Sequence, residues 1–211
     1  ALEHPPGFLA AVSPAGRVDL DSPLEAGVKW QLSSSGLSVK KYPTCFLTHR
    51  ALDGMLDLLQ AQKITADAVK SVTVSMGRRA ASVLRNHAPQ TGLAAKFSIE
   101  FAMAAALVVN RAGAAELTDD FVRRADVQAL MKRVRITAPD APDDAFGYAP
   151  YDQVTVETSD GRHLESAQVT KIRGGPDLPL SRDELWQKFG GCVQAGTARV
   201  PARVLFDSLM S

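Results

Sequence analysis

The sequence has few cysteines, almost no net charge and no long apolar run, and each shortage argues against a class of protein. Cys45 and Cys192 are the only cysteines among 211 residues and form no CxxC pair, which argues against an in-chain iron–sulfur cluster or zinc knuckle and makes a disulfide unexpected. Lysine plus arginine number 24 against 23 for aspartate plus glutamate, so no charge excess favours nucleic acid. No apolar run reaches the roughly 18 residues of a membrane-spanning helix. We therefore expect a cytoplasmic protein without a secretory leader that binds neither nucleic acid nor membranes.

What is present is enough apolar sequence for a core, together with an unusual start. Apolar residues make up 45% of the chain, which suffices for one large or two small domains. The sequence begins Ala1-Leu2 without an initiator methionine. We therefore expect it to be a fragment of a longer protein.

The apolar pattern alternates along the chain between the 3.6-residue spacing of helices and the two-residue spacing of strands. This order predicts an α+β fold with a small antiparallel sheet backed by helices and with flanking helical segments. Strands are predicted at 69–76, from 134 to 137, at 153–159 and at 164–172. Helices are predicted at 44–61, at 93–112, after the caps Thr118 and Asp126, at 182–195 and at 201–210, with short turns at 7–12 and 24–30.

The stretch from Lys40 to His49 predicts a binding corner. Pro43 favours extended geometry in the residue before it and suits the start of a helix, so an extended segment should become a helix here. Unpaired N–H groups, the helix dipole and the lysines Lys40 and Lys41 together suit a carboxylate or phosphate. The sequence therefore predicts an anion site at this corner.

Each of these side chains also has an ordinary structural explanation. A lysine pair such as Lys40 and Lys41 often lies on a solvated surface. His49 falls next to the buried stripe of the predicted helix, where a histidine can simply hydrogen-bond the corner. It can equally shuttle protons near neutral pH, as chemistry next to a carboxylate requires.

Several motifs in the same order resemble the MmgE/PrpD family, which includes 2-methylcitrate dehydratase, cis-aconitate decarboxylase and iminodisuccinate epimerase. The similarity is clearest at Lys40-x-Tyr42-Pro43-x-Cys45 and His49, and matches fall in the same order from about residue 4 to about residue 190. The further matching segments are Ala95-Lys96-Phe97-Ser98-Ile99-Glu100-Phe101, Asp126-Val127 with Leu130-Met131, Asp160-Gly161, Arg173-Gly174, Pro179-Leu180-Ser181 and Lys188-Phe189.

The resemblance implies a two-part enzyme with its active site between a helical domain and an α+β lid. On this basis 39–174 is the lid, and 1–38 and 175–211 are pieces of the helical domain. The N-terminal helical half is missing, so this chain alone should be catalytically incomplete. The implied enzyme is a metal-independent lyase or isomerase of small di- or tricarboxylates that uses no cofactor, and we expect a homodimer.

The resemblance also implies roles for particular residues. Lys40 and His49 are the candidate catalytic residues, with Lys40 holding the substrate carboxylate and His49 transferring a proton. Lys41, Lys96 and Ser98 are the candidate substrate-binding residues, and no metal ligand is expected.

Other residues narrow the chemistry. Phe101 occupies the position of an active-site tyrosine in the cis-aconitate decarboxylase-like members, which counts against decarboxylation and leaves dehydration or epimerisation. Cys45 is expected to be a packed thiol, and His87 and His163 receive no role. The alternative function is a non-catalytic binding or assembly module, or one subunit of a split enzyme.

Overall fold

The computed structural model describes residues 8, 27–28, 30–139, 141–144, 148–196 and 201–211. The chain forms two units, 1–36 and 37–211. In the first unit the described residues include a short helix, α1 (Gln31–Ser35). The turn predicted at 7–12 lies outside the described residues except for Phe8, and of the turn predicted at 24–30 only residues 27–28 and 30 are described.

The described part of the second unit contains a four-stranded mixed sheet in the order β2-β1-β3-β4. The strands are β1 (Val69–Ser75), β2 (Val134–Thr137), β3 (Gln153–Thr158) and β4 (His163–Glu165). In the centre, Val72 lies opposite Val156 of antiparallel β3 and opposite Val134 of parallel β2. The α+β prediction is confirmed. The predicted antiparallel pairing is wrong for β1 and β2, which pair in parallel, because a long helical crossover joins these strands and permits parallel pairing.

The last strand is shorter than the predicted 164–172 because a side chain ends its pairing. The Ser166 hydroxyl accepts a hydrogen bond from Val154 N at 3.0 Å and donates to Ala167 O at 2.9 Å. The hydroxyl thereby replaces the backbone carbonyl that would accept this hydrogen bond if the two strands stayed paired. Beyond it, Val169 forms only an isolated bridge with Asp152.

Helices surround this sheet, and two of the predicted helices are interrupted. The helices of the second unit are α2 (His49–Ala61), α3 (Arg78–Val83), α4 (Gly92–Ala95), α5 (Ile99–Val109), α6 (Asp119–Val122), α7 (Ala125–Met131), α8 (Arg182–Ala195) and α9 (Ala202–Leu209). The predicted helix 44–61 starts with a 3-10 turn, Phe46–Thr48, before α2. The predicted helix 93–112 is broken into α4 and α5, because the Ser98 hydroxyl accepts a hydrogen bond from Phe101 N and caps a new helix.

The predicted helix caps are confirmed at two of three positions. Thr118 caps α6 through a hydrogen bond from Phe121 N. Ser181 and Glu184 form the capping box that starts α8. Asp126 lies in the first turn of α7 and is not its N-cap.

The core lies between the sheet and α5. Helix α5 is buried from Ile99 to Leu107, and its alanines allow α2 and α7 to pack closely against it. Helix α2 also packs closely against the residue that follows β4: a Cβ at Gly54 would lie 3.0 Å from Ser166 Oγ. Among the described residues, no helix combines the length and the apolar character needed to cross a bilayer.

Candidate functional site

The corner from Lys40 to His49 is held by its own hydrogen bonds. The Lys40 ammonium donates to Thr44 O at 3.1 Å, and the hydroxyls of Thr44 and Thr48 lie 2.8 Å apart. Cys45 N donates to Lys96 O at 2.8 Å, so this N–H is already occupied and not available to an anion. The cation of Lys40, which is exposed, remains the corner's accessible charge.

His49 lies directly beneath this corner and is fully buried. Its ring packs between Tyr42 and Phe46, with centroids 5.2 and 4.9 Å away. Neither ring nitrogen has a hydrogen-bond partner among the residues that the structure describes. Unpaired buried polar atoms are costly and uncommon in native proteins, so this imidazole is a candidate functional group.

The electrostatic surroundings of His49 keep it neutral. Burial and the nearby charge of Lys40 lower the pKa of His49 to about 4, and Lys188 of α8 acts in the same direction. The backbone at Thr44 and Tyr42 partly offsets this lowering of the pKa. Neither backbone forms a hydrogen bond of normal geometry with the ring nitrogens. A neutral imidazole can accept a proton, which is the form that a general base requires. Lys188 was not among the predicted site residues.

Lys41 is occupied by carboxylates of its own chain. Its ammonium lies 3.2 Å from Glu184 Oε1 and 3.6 Å from Asp53 Oδ1. Arg173 contacts the same two carboxylates at 3.4 and 3.8 Å, and Tyr42 Oη donates to Asp53 at 2.7 Å. The structure therefore places Lys41 in an ion-pair cluster that connects the corner to α8. Lys40 does not belong to this cluster.

This cluster also perturbs the titration of its members. Burial and the Asp53 carboxylate raise the pKa of Tyr42 well above its usual range. Burial acts to raise the pKa of Glu184, but hydrogen bonds from Ser181 and Lys41 outweigh it and lower that pKa to about 2. Both groups are therefore fixed in one protonation state near neutral pH, Tyr42 neutral and Glu184 charged.

The segment 96–98 adjoins the corner through the bond between Lys96 O and Cys45 N. The Lys96 side chain is half-buried, whereas Ser98 is fully buried. The Ser98 hydroxyl caps α5 and donates to Glu100 Oε2 at 3.1 Å. The structure thus brings Lys96 close to the corner and commits Ser98 to hydrogen bonds within the chain.

A second histidine lies on the other side of this segment. His87 Nδ1 is 2.7 Å from Glu100 Oε1, and Asn86 N donates to Phe97 O at 3.2 Å. No role was predicted for His87, because it falls in a predicted loop. Thirteen residues separate it from Glu100, and no local spacing indicates the pair.

A cavity of about 520 Å³ lies behind the corner, next to Phe46 and Leu47. One of its walls carries the ion pair between Arg50 and Asp152, with 2.8 Å between nitrogen and oxygen. Burial raises the pKa of Asp152 to about 6, although Arg50 acts to lower it. The buried pair connects α2 to the start of β3.

Two other residues behave as packing groups. Phe101 is buried and meets Phe121 edge-on, with centroids 6.3 Å apart. It has no polar atom to exchange a proton. Cys45 is a half-buried free thiol packed against the core.

The geometry combines an exposed lysine, a neutral buried histidine and a second lysine on an adjoining segment. That set can bind a carboxylate and transfer a proton, and it lies at the start of α2 and on the segment between α4 and α5. A search of curated proteins finds no match to the chain. The family model for the MmgE/PrpD C-terminal domain matches residues 42–206, which covers the corner from Tyr42, the whole sheet and helices α2 to α8. The chain therefore belongs to the MmgE/PrpD family, an enzyme family of dehydratases and epimerases, and represents its C-terminal domain.

Proposed function

We propose that this chain is the C-terminal part of a metal-independent hydro-lyase that acts on a small di- or tricarboxylate, as 2-methylcitrate dehydratase does. The observation that carries the proposal is the buried His49 ring, without hydrogen-bond partners among the described residues, beneath the exposed Lys40. The reaction begins with removal of the proton next to a carboxylate.

Lys40 holds the substrate carboxylate in this proposal. Its partner in the described chain is the neutral carbonyl of Thr44, and a carboxylate is a stronger acceptor for an ammonium. Lys96, on the adjoining segment, is the second cation. Together the two charges stabilise the negative charge that develops on the carboxylate oxygens when the carbon loses its proton.

His49 is the proposed base. Burial lowers its pKa to about 4, so the ring is unprotonated at neutral pH. A bound substrate carboxylate raises the basicity of the ring, because a nearby negative charge stabilises the imidazolium that forms. The aromatic rings of Tyr42 and Phe46 hold it in a fixed orientation. Fixed orientation is itself a large part of catalysis, because it removes the entropy cost of bringing base and substrate together.

Dehydration or epimerisation fits this chain better than decarboxylation. Phe101 stands where the decarboxylase-like members carry a tyrosine, and a phenyl ring cannot donate a proton. The proposed chemistry therefore uses the histidine and the lysines of the corner, with Lys41 as part of the supporting ion-pair cluster.

We further propose that turnover requires the N-terminal helical half of the family's enzymes, and we call this chain together with that half the complete enzyme. The family's active site lies between the two parts, and we expect the complete enzyme to be a cytoplasmic homodimer. The alternative is a binding or assembly module, or one subunit of a split enzyme. Exposed apolar side chains on α4 and the segment after it, Leu93 and Phe97, favour an association surface.

One assay tests the proposed function. The chain is assayed alone and as the complete enzyme on 2-methylcitrate-like and iminodisuccinate-like substrates. We expect turnover of one class by the complete enzyme only. An inactive complete enzyme that still assembles would favour the binding module.

A further inference from the structure

The His87–Glu100 pair has the arrangement of a histidine prepared for proton transfer. Glu100 is buried and accepts two hydrogen bonds, from Ser98 Oγ at 3.1 Å and from His87 Nδ1 at 2.7 Å. The His87 side chain is 63% exposed. A carboxylate that receives the Nδ1 proton fixes the tautomer of the ring and leaves Nε2 to exchange protons.

The Glu100 side chain is held in a fixed orientation by these two hydrogen bonds. It lies in the first turn of α5, where the helix dipole stabilises negative charge. Ser98, which donates to it, is immobilised as the cap of the same helix. The chain of hydrogen bonds from Ser98 through Glu100 to His87 therefore starts in the core and ends at an accessible imidazole.

This imidazole and the Lys40 corner flank the same backbone segment. Cys45 of the corner donates to Lys96 O, and Asn86, next to His87, donates to Phe97 O. The carbonyls of Lys96 and Phe97 thus bind the corner and the loop of His87 to neighbouring positions of one segment. A cavity of about 350 Å³ is lined by Arg85, Asn86 and Phe97, so a small molecule has room next to the loop that carries His87.

We propose that His87 is the second proton-transfer group of the hydro-lyase reaction and that Glu100 is its positioning residue. The inference rests on the proposed function and deepens it. The elimination of water requires both a base and an acid. His49 fills the first role in the proposal, and no other residue of the described part of this chain has been assigned to the second.

Atoms and electrons balance in the resulting dehydration. The base removes the proton from the carbon next to the carboxylate, the C–H electron pair becomes the new C=C bond, and the C–O bond breaks. The departing hydroxyl takes the Nε2 proton of protonated His87 and leaves as water. His87 is then neutral and His49 protonated, and proton exchange with solvent restores both.

The test measures steady-state kinetics of the complete enzyme with His87→Gln, His87→Ala and Glu100→Gln. Glutamine can still donate a hydrogen bond to Glu100 but cannot transfer a proton, so His87→Gln should keep the melting temperature of the wild type. We expect kcat to fall about 10²-fold or more in both His87 variants, with KM changed far less. Added imidazole should restore part of the kcat of His87→Ala. Glu100→Gln should lower kcat and shift the limb of the pH–rate profile that reports the acid.

His163→Ala is the matched control, because His163 is also exposed and its strand position faces a glutamate, Glu157. It should leave kcat unchanged. A kcat for His87→Gln within about threefold of the wild type, with an unaltered pH–rate profile, would overturn the inference. Failure of the proposed function is distinguishable: the wild-type complete enzyme would then turn over no small carboxylate, and both proposals would fall together.

Discussion

Replacing His49 by leucine tests the most unusual feature of the site, a fully buried imidazole without hydrogen-bond partners in the described structure. Burial and the Lys40 charge lower its pKa from 6.5 to about 4. A group whose pKa is lower in the folded state than in the unfolded state, and which is neutral when deprotonated, costs stability as pH falls through the unfolded value. Between about pH 7.5 and about pH 4.5, linkage gives a loss of about 2.5 kcal/mol in the free energy of unfolding.

The assay is urea unfolding of the chain at both pH values, for the wild type and for His49→Leu. Asp152 acts in the opposite direction over this range, because burial raises its pKa to about 6. It is present in both proteins, so it cancels in their difference. We expect the wild type to lose about 2.5 kcal/mol more than the variant on acidification. At the higher pH the variant should be at least as stable, since leucine leaves no unpaired polar atom.

The exposed His163 supplies the control, because His163→Leu removes a histidine without removing a buried one. It should retain the pH dependence of the wild type. An equal pH dependence in the wild type and His49→Leu would refute the account of His49 as a neutral buried base.

Three further predictions concern the frame around the site. Tyr42→Phe removes the 2.7 Å hydrogen bond to buried Asp53 and should lower the free energy of unfolding by about 1–2 kcal/mol in urea titrations. An unchanged free energy would mean that Lys41 and Arg173 satisfy the carboxylate alone. Gly92→Ala places a Cβ far inside van der Waals contact with Leu117 O, at the end of the 3-10 helix before α6, so the melting temperature should drop sharply. An unchanged melting temperature would refute the close approach of the two backbones. Light scattering of the chain at rising concentration should show association through exposed apolar surface, and a strictly monomeric species would contradict it.

The sequence predicted the local features of the corner better than its partners. The proline step and the helical spacing after it correctly indicate a turn into a helix, and the position of His49 beside the apolar stripe correctly indicates burial. Local spacing does not show that Lys41 meets Glu184, which lies far along the chain. An ion pair of that kind depends on how α8 returns to the corner.

For the sheet, too, the sequence predicted single elements better than the contacts between them. Alternation located β1 and β3 within a residue, because β3 buries every second side chain and β1 does so from Val72 onward. The direction of β2 relative to β1 depends on the crossover and not on the pattern within either strand. The early end of β4 depends on one hydroxyl, that of Ser166, which takes part in the pairing itself.

The most direct test of the central claim, that Lys40 binds a substrate carboxylate, is the kcat/KM of Lys40→Met in the complete enzyme. Loss of a charge-assisted hydrogen bond of about 1.5–3 kcal/mol predicts a fall of about one to two decades, with the melting temperature unchanged because Lys40 is exposed. Lys63→Met, which removes an exposed lysine after α2, should leave kcat/KM at the wild-type value. A Lys40→Met enzyme that matches the wild type and Lys63→Met in kcat/KM would contradict the account.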